Sequence, residues 1–129
     1  MSGRPGALVR TERIGVREAW DAQRRLAAAR RAGALPDVVW LLEHPPAFTA
    51  GRGGDRADLF LSDHALAAAG AEYVPLDRGG QLTWHGPGQS VGYVVADLRP
   101  GRRVRGFVAA LVGAMADACL LYTSPSPRD

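Results

Sequence analysis

The pattern of apolar and polar residues near the start of the chain predicts a helix followed by a buried strand. Residues 18–32 place Trp20 and Leu26 among alanines and arginines, a composition with high helix propensity, and Gly33 stands where such a helix would end. A continuous apolar run follows at residues 38–42, and prolines 45 and 46 stop it because proline cannot donate to a sheet ladder. The apolar run is therefore predicted to be a strand inside the fold.

A loop, a short helix and an edge strand are predicted in the middle of the chain. Residues 51–56 are rich in glycine and form the loop. Residues 62–70 predict a short helix with Ser62 or Asp63 near its start and Gly70 beyond its end. Residues 73–76 are extended, and Pro75 places that strand at the edge of a sheet.

Alternation at residues 81–85 predicts a strand with two different faces. Leu82 and Trp84 fall on one face, and Gln81, Thr83 and His85 fall on the other, which can face a binding site. A Gly-Pro-Gly turn at residues 86–88 leads to a largely apolar strand over residues 91–98. The two strands are predicted to form a strand-turn-strand unit.

A helix that packs on the core is predicted over residues 104–118. Val104, Val108, Leu111 and Met115 recur at helical spacing, so this helix should cover one face of the sheet. Residues 119–129 hold two prolines and little to bury, which predicts a disordered tail.

Composition limits the classes of protein to which the chain can belong. At 129 residues and 47% hydrophobic it fits one globular domain, and all 16 basic residues are arginine, so no mechanism can use a lysine of this chain. The formal net charge of +3 does not indicate a nucleic-acid partner. The single Cys119 excludes an internal disulfide and suits the cytoplasm, and no apolar run of membrane-spanning length is expected.

The segment Arg78-Gly-Gly-Gln-Leu-Thr-Trp-His-Gly-Pro-Gly-Gln89 concentrates the candidate chemistry. Its four glycines let the backbone approach a ligand closely and adopt tight turns. One interpretation makes the segment a wall of a binding site, with backbone N–H groups near Gly79 and Gly80 facing an acyl carbonyl and His85 at the rim. The alternative is an ordinary glycine-rich hairpin with a surface histidine.

Three blocks of sequence resemble the lipoyl(octanoyl) transferases, and they occur in that family's order. The blocks are Leu41-Leu-Glu-His-Pro-Pro-Ala-Phe-Thr-Ala-Gly51, the segment 78–89, and Val91-Gly-Tyr-Val-Val-Ala-Asp-Leu-Arg99. The resemblance covers most of residues 8–118, taken here as the N-terminal part of the domain, with Trp84 where the family usually has Tyr. It implies an α/β fold of the biotin and lipoate protein ligase type, a mixed sheet with flanking helices.

The resemblance implies an enzyme that takes an octanoyl group from acyl carrier protein, holds it as a cysteine thioester, and passes it to a lysine of a lipoyl domain. Implied acceptors are the lipoyl domains of 2-oxoacid dehydrogenases and the glycine cleavage H protein, with no cofactor, metal, nucleic acid or membrane. The residues expected to line the acyl site are Arg78, Gly79, Gly80, Gln81, Leu82, Thr83, Trp84 and His85.

The chain departs from the family pattern in its catalytic groups. The family's nucleophilic cysteine and the lysine that lowers its pKa both lie beyond residue 118, so no catalytic residue is assigned. Cys119 follows the C-terminal end of a predicted helix, where the dipole disfavours a thiolate. The chain is therefore expected to be inactive by itself, with residues 119–129 foreign to the family.

Two alternative functions stay open, and several other signals are set aside. One alternative is an acyl-adenylating ligase, because the short loop 51–54 resembles the glycine-arginine loop of biotin protein ligases. The other is a non-catalytic module that binds an acyl chain or its carrier protein. Ser90 matches a hydrolase elbow motif, but a turn precedes it and a strand follows, the reverse of what that motif needs. His44, His64 and His85 lack the paired spacing of metal ligands. The basic cluster at 102, 103 and 105 would suit an acidic carrier protein or simply solvent.

Overall fold

The computed structural model describes residues 4–99, 101 and 103–123. These residues fall into two compact units, divided between Ala96 and Asp97. Among the described residues, the first unit contains six strands, two α-helices and a short 3₁₀ helix (Arg56–Asp58), and the second contains one α-helix. The elements are β1 (Gly6–Arg13), α1 (Val16–Arg31), β2 (Asp37–Glu43), β3 (Ala47–Ala50), α2 (Asp63–Ala68), β4 (Glu72–Pro75), β5 (Leu82–His85), β6 (Val91–Val95) and α3 (Val104–Thr123).

The first sheet has the strand order β1-β2-β6 and is mixed. β1 and β2 are parallel and are connected by α1, while β6 pairs antiparallel with β2. Ala19 of α1 packs against Val38, Trp40 and Leu42 of β2, and all four are buried. Alternate residues of β2 thus face the helix, which confirms the predicted buried strand.

The second sheet repeats this arrangement with the strand order β4-β3-β5. β3 and β4 are parallel, with α2 between them in the chain, and β5 pairs antiparallel with β3. Val74 of β4 and Ala47 of β3 are buried against Val16 of α1, so α1 contributes to the core of both sheets. Pro75 ends an edge strand, as predicted.

The chain crosses between the two sheets at residues 44–46 and again at residues 86–90. The predicted order of strand, turn and strand is confirmed, but β5 and β6 belong to different sheets, so the alternative of an ordinary glycine-rich hairpin is wrong. Each strand finds its antiparallel partner in the earlier segment instead, β6 with β2 and β5 with β3. The Gly86-Pro87-Gly88 turn connects the two sheets. It lies opposite the proline-rich crossing between β2 and β3, because β5 pairs with β3 and β6 pairs with β2.

Glycines end both helices of the first unit where the sequence predicts. Gly33 has φ +80° beyond α1, and Gly70 has φ +66° beyond α2. The N–H of Ala34 donates to the carbonyl of Ala29 at 2.9 Å, and the N–H of Ala71 donates to that of Leu66 at 2.9 Å. Both are Schellman ends, in which glycine supplies the left-handed residue. Ser62 caps α2 by accepting from the N–H of Ala65.

The second unit is dominated by α3, which is longer than predicted. It continues to Thr123, so the predicted end at residue 118 is five residues early and residues 119–123 are helical. Residues 124–129 of the predicted tail and Arg102 of the basic cluster lie outside the described residues. The prediction that this helix covers a face of the sheet stays a prediction.

By length and composition, α3 also passes a test for membrane-spanning helices. Its window Val104–Leu121 has a mean hydropathy of 1.7, so the expectation that no apolar run approaches such a length was too strict. Core helices of soluble proteins pass the same test, and one such helix does not indicate a membrane role.

The α/β class with mixed sheets and flanking helices is confirmed. The described residues form two three-stranded sheets, where the sequence predicted one.

Candidate functional site

The polar face of β5 meets a buried polar residue of β3. In the β3–β5 register Thr49 lies opposite Thr83, and His85 is the next residue of β5 on the same face. The Thr49 hydroxyl lies 3.1 Å from Nε2 of His85. Thr49 is only 1% exposed, so this contact is inside the fold. The predicted alternation, with Thr83 and His85 on one face, is confirmed.

The Arg78 guanidinium organises this polar face. Nη2 donates to the Thr49 hydroxyl at 2.8 Å and lies 3.4 Å from both the Thr49 carbonyl and the Thr83 hydroxyl. Nη1 donates to the carbonyl of Gly79 at 2.9 Å, which closes the side chain back on its own loop. Arg78 is thus engaged with protein groups on several sides. Its charge lies beside the Thr49 hydroxyl.

Two glycine-rich segments are joined backbone to backbone next to this face. The N–H groups of Gly51, Arg52 and Gly53 donate to the carbonyls of Gln81, Arg78 and Gly80 at 3.1, 2.8 and 3.0 Å. A Cβ on Gly51 would lie 2.5 Å from the Gly80 carbonyl oxygen and 2.7 Å from that of Gly79. Only glycine permits this approach at position 51. The loop predicted from its composition therefore braces the segment 78–81.

His85 is held in an environment that disfavours its charged form. Burial lowers the pKa of His85 from its ordinary value of 6.5, and the neighbouring His44 and Arg78 charges lower it further. The Gln89 side chain opposes these effects by hydrogen bonding. Nδ1 is buried and has no partner at full hydrogen-bond geometry among the described residues. A neutral imidazole with one unsatisfied nitrogen is therefore present near neutral pH.

His44 connects the two sheets behind His85. It is completely buried, its Nδ1 lies 2.6 Å from the Ile14 carbonyl, and its Nε2 lies 2.6 Å from the Tyr93 hydroxyl. Because a carbonyl can only accept, Nδ1 carries a proton, and in the neutral ring Nε2 accepts from Tyr93. The His44 and His85 rings meet edge to face at 5.3 Å. Burial raises the pKa of Tyr93, which keeps its hydroxyl a donor.

The opposite face of β5 is aromatic and apolar. Trp84 packs against Phe48 with ring centroids 4.8 Å apart, and its indole lies over Gly86, where a Cβ would come within 2.8 Å of the ring. Trp84 is still 45% exposed. Leu82 lies on the same face and is half-buried. The Trp84 ring is therefore partly exposed to solvent, on the face of β5 opposite its polar face.

The structure places the eight predicted site residues in one short segment, but with different roles. Arg78, Thr83 and His85 meet around Thr49, whereas Leu82 and Trp84 face the other side. Gly79, Gly80 and Gln81 offer their carbonyls to Arg78 or to the loop at 51–53. The expectation that N–H groups near Gly79 and Gly80 face an acyl carbonyl stays a prediction.

Sequence reasoning missed Thr49, Tyr93 and the joining role of His44. Thr49 stands between Phe48 and Ala50 in a stretch that was not predicted to be a strand, so its partner on β5 could not be assigned. A polar residue inside a short apolar segment was the available signal. For the described residues, no group of three or more His, Cys, Asp or Glu side chains is close enough to hold a metal ion.

Known proteins match this chain over most of its length. A family model described as the lipoyl protein ligase A/B catalytic domain matches residues 16–126. An octanoyltransferase of Thiobacillus denitrificans is 46% identical over 106 residues, which cover 81% of this chain and 45% of that protein. That of Streptomyces coelicolor is 43% identical over 117 residues, covering 91% of this chain and 42% of that protein.

A third octanoyltransferase, from Aromatoleum aromaticum, is 42% identical over 125 residues, covering 94% of this chain and 50% of that protein. The chain therefore spans about half the length of the curated relatives it matches. A solved structure of a putative lipoate protein ligase from T. acidophilum with bound lipoic acid covers 69% of this chain and 36% of that one, at 16% identity and a TM-score of 0.44.

Proposed function

Because the chain belongs to the lipoyl protein ligase A/B catalytic domain family, we propose that it forms the acyl-binding part of an octanoyltransferase. The observation that carries this proposal is the identity of 42–46% to three proteins named octanoyltransferase, over most of this chain. The proposed reaction moves an octanoyl group from octanoyl-acyl carrier protein to a lysine of a lipoyl domain, through a cysteine thioester.

The chemistry of the β5 segment suits an acyl group. Leu82 and Trp84 offer apolar surface, and each CH₂ of an acyl chain that they cover would contribute roughly 0.8 kcal/mol. On the polar side, a neutral His85 can hydrogen-bond to the acyl carbonyl without carrying a charge of its own. Because Leu82 and Trp84 lie on the face of β5 opposite His85, the carbonyl contact is assigned to the polar face alone.

The nucleophile is proposed to lie outside this chain's family-like part. The sequence contains no lysine, so the lysine that lowers the pKa of the nucleophile in the family cannot come from this chain. The cysteine and the lysine that would complete the reaction are therefore expected in sequence that follows the matched region in a longer protein. The chain alone is proposed to bind and not to turn over.

The partners and the compartment follow from the same proposal. The acyl donor would be octanoyl-acyl carrier protein, and the acceptors would be lipoyl domains of 2-oxoacid dehydrogenases or the glycine cleavage H protein. Acyl carrier proteins are acidic, and this chain carries a net charge of +3 with 16 arginines, so association would be favoured by charge. We propose that this reaction takes place in the cytoplasm.

Transfer by a longer protein that contains this sequence provides the test. Intact mass spectrometry of the lipoyl domain measures transfer of the octanoyl group from octanoyl-acyl carrier protein. We expect this transfer to proceed without ATP. His85→Ala should slow transfer by about 100-fold, the effect of removing one hydrogen-bond donor to a reacting oxygen. His64→Ala is the matched control, because His64 is exposed on α2 and should leave the rate unchanged.

Two outcomes would contradict the proposal. A requirement for ATP, with release of pyrophosphate from octanoate, would assign the protein to the acyl-adenylating ligases that the same family model includes. An octanoyl adduct on Cys119 of the 129-residue chain would show that this chain holds its own nucleophile. Binding of acylated carrier with no transfer by any longer protein would leave a non-catalytic binding module.

A further inference from the structure

The hydroxyl of Thr49 lies between one obligatory donor and one ambiguous ring nitrogen. Arg78 Nη2 is 2.8 Å from Thr49 Oγ1, and His85 Nε2 is 3.1 Å from the same oxygen. Thr49 is 1% exposed, so solvent does not compete for this hydroxyl. These are the two side-chain contacts that Oγ1 makes in the part of the chain that the structure describes.

Counting protons decides which way these hydrogen bonds run. A guanidinium nitrogen can only donate, so Thr49 Oγ1 accepts from Arg78. The hydroxyl has one proton of its own, and His85 Nε2 is the acceptor within reach. If Thr49 donates to Nε2, the neutral imidazole must carry its proton on Nδ1.

The opposite tautomer leaves more buried groups without partners. With the proton on Nε2, His85 would donate to Thr49, and the Thr49 hydroxyl proton would point into the protein without an acceptor. The Nδ1 lone pair would also be unpaired, since Nδ1 has no partner at hydrogen-bond geometry among the described residues. The Nδ1–H tautomer leaves only that one N–H unsatisfied, and buried polar groups without partners are unfavourable.

We infer that Thr49 is a positioning residue, held by Arg78, that fixes His85 as the Nδ1–H tautomer so that Nδ1 can donate to an acyl carbonyl oxygen. This inference rests on the proposed function for the identity of the ligand. It changes the role of Arg78, which acts on the acyl group through Thr49 and His85. It also gives the buried Nδ1 of His85 its partner, an oxygen of the substrate.

The surroundings of His85 support a neutral donor at this position. Burial and the charges of His44 and Arg78 lower the pKa of His85, so the ring stays neutral under ordinary conditions. Hydrogen bonding by the Gln89 side chain is the one effect that raises the pKa of His85.

Nitrogen NMR of the histidine rings tests the inference directly. In the ¹⁵N-histidine-labelled 129-residue chain at pH 8, long-range proton–nitrogen correlations should show His85 protonated at Nδ1 and not at Nε2. Thr49→Ser keeps the hydroxyl and should keep this tautomer. Thr49→Val has a similar shape but no hydroxyl, and should move His85 to a mixture or to Nε2–H. His44 should remain protonated at Nδ1 in all three proteins.

The possible outcomes each decide the question. An Nε2–H tautomer in the unmodified chain would overturn the inference, as would an unchanged tautomer in Thr49→Val. If Thr49→Val fails to fold, the unmodified chain and Thr49→Ser still decide it, because both must show Nδ1–H. Titration with the S-octanoyl thioester of N-acetylcysteamine should shift the His85 Nδ1–H signal, and no shift at saturation would remove the carbonyl contact.

This experiment is independent of enzymatic turnover. The tautomer can be Nδ1–H even if the longer protein proves to be an ATP-dependent ligase, and transfer can be observed even if the tautomer is Nε2–H. Failure of the inference and failure of the proposed function are therefore distinguishable. In a longer active protein, Thr49→Val should lower the rate of transfer about tenfold, and Thr49→Ser should restore it.

Discussion

Replacing Gly51 by alanine tests the backbone contact between the two glycine-rich segments. The added Cβ would lie 2.5 and 2.7 Å from two carbonyl oxygens and 2.8 Å from Arg78 Nη1. Carbonyls of the backbone cannot rotate away, so the two segments must separate. Overpacking of this kind costs about 1–3 kcal/mol, and weakening one of the three joining hydrogen bonds adds roughly 1 kcal/mol. The smaller entropy of the unfolded alanine chain returns about 0.5 kcal/mol.

The net expectation is a loss of about 2–3 kcal/mol in the free energy of unfolding, which would lower the urea midpoint by roughly 1–2 M for a protein of this size. Fluorescence is a suitable signal, because Trp20, Trp40 and Trp84 all lie in the first unit. Gly79→Ala is the matched control, since a Cβ there meets nothing within 4 Å. Equal midpoints for Gly51→Ala and Gly79→Ala would refute the argument that the two segments are in close contact.

Three further changes probe neighbouring contacts. Gly86→Ala should displace the Trp84 indole and move its Nε1–H signal in proton NMR. It should destabilise the protein less than Gly51→Ala, because the half-exposed Trp84 side chain can rotate away. An unmoved signal would count against the contact between Gly86 and Trp84. Thr11→Val should cost about 1 kcal/mol by removing the 2.9 Å hydrogen bond from Trp40 Nε1, and an unchanged urea midpoint would contradict it. Folding lowers the pKa of His85, so the unfolded chain binds more protons than the folded chain below pH 6.5, and the free energy of unfolding should fall as the pH drops through that range. His85→Gln should reduce this dependence of stability on pH. An identical dependence in the variant would exclude the effect.

Local signals in the sequence were sufficient to predict a helix or strand where the signal lies within that element or at its end. Gly33 and Gly70 ended their helices as predicted, because a left-handed residue is needed at that position whatever the rest of the chain does. The apolar run of β2 likewise identified a strand packed against a helix. Apolar periodicity also found α3, although its end depends on residues with no strong stop signal before Thr123.

Pairing between distant segments was not predictable in the same way. β1 carries charged residues and its Leu8 is 60% exposed, so it lacks the alternation that marks a half-buried strand. β3 has only four residues and follows two prolines, and without it β5 had no partner except β6. The wrong hairpin and the missed Thr49 share this cause. Register between strands is a property of the whole fold, which the residues near Gly86 do not encode alone.

The two crossings between sheets have a consequence for how the first unit comes apart. Residues 38–50 run antiparallel to residues 82–95 on both sides of the corner, so the central strands form one continuous ribbon bent at His44 and Gly86. The corner is fastened by the Gly88 N–H to Glu43 and by the His44 hydrogen bonds. Neither sheet can open without pulling on this shared ribbon. Amide hydrogen exchange in β2 and β3 should therefore report a single opening unit.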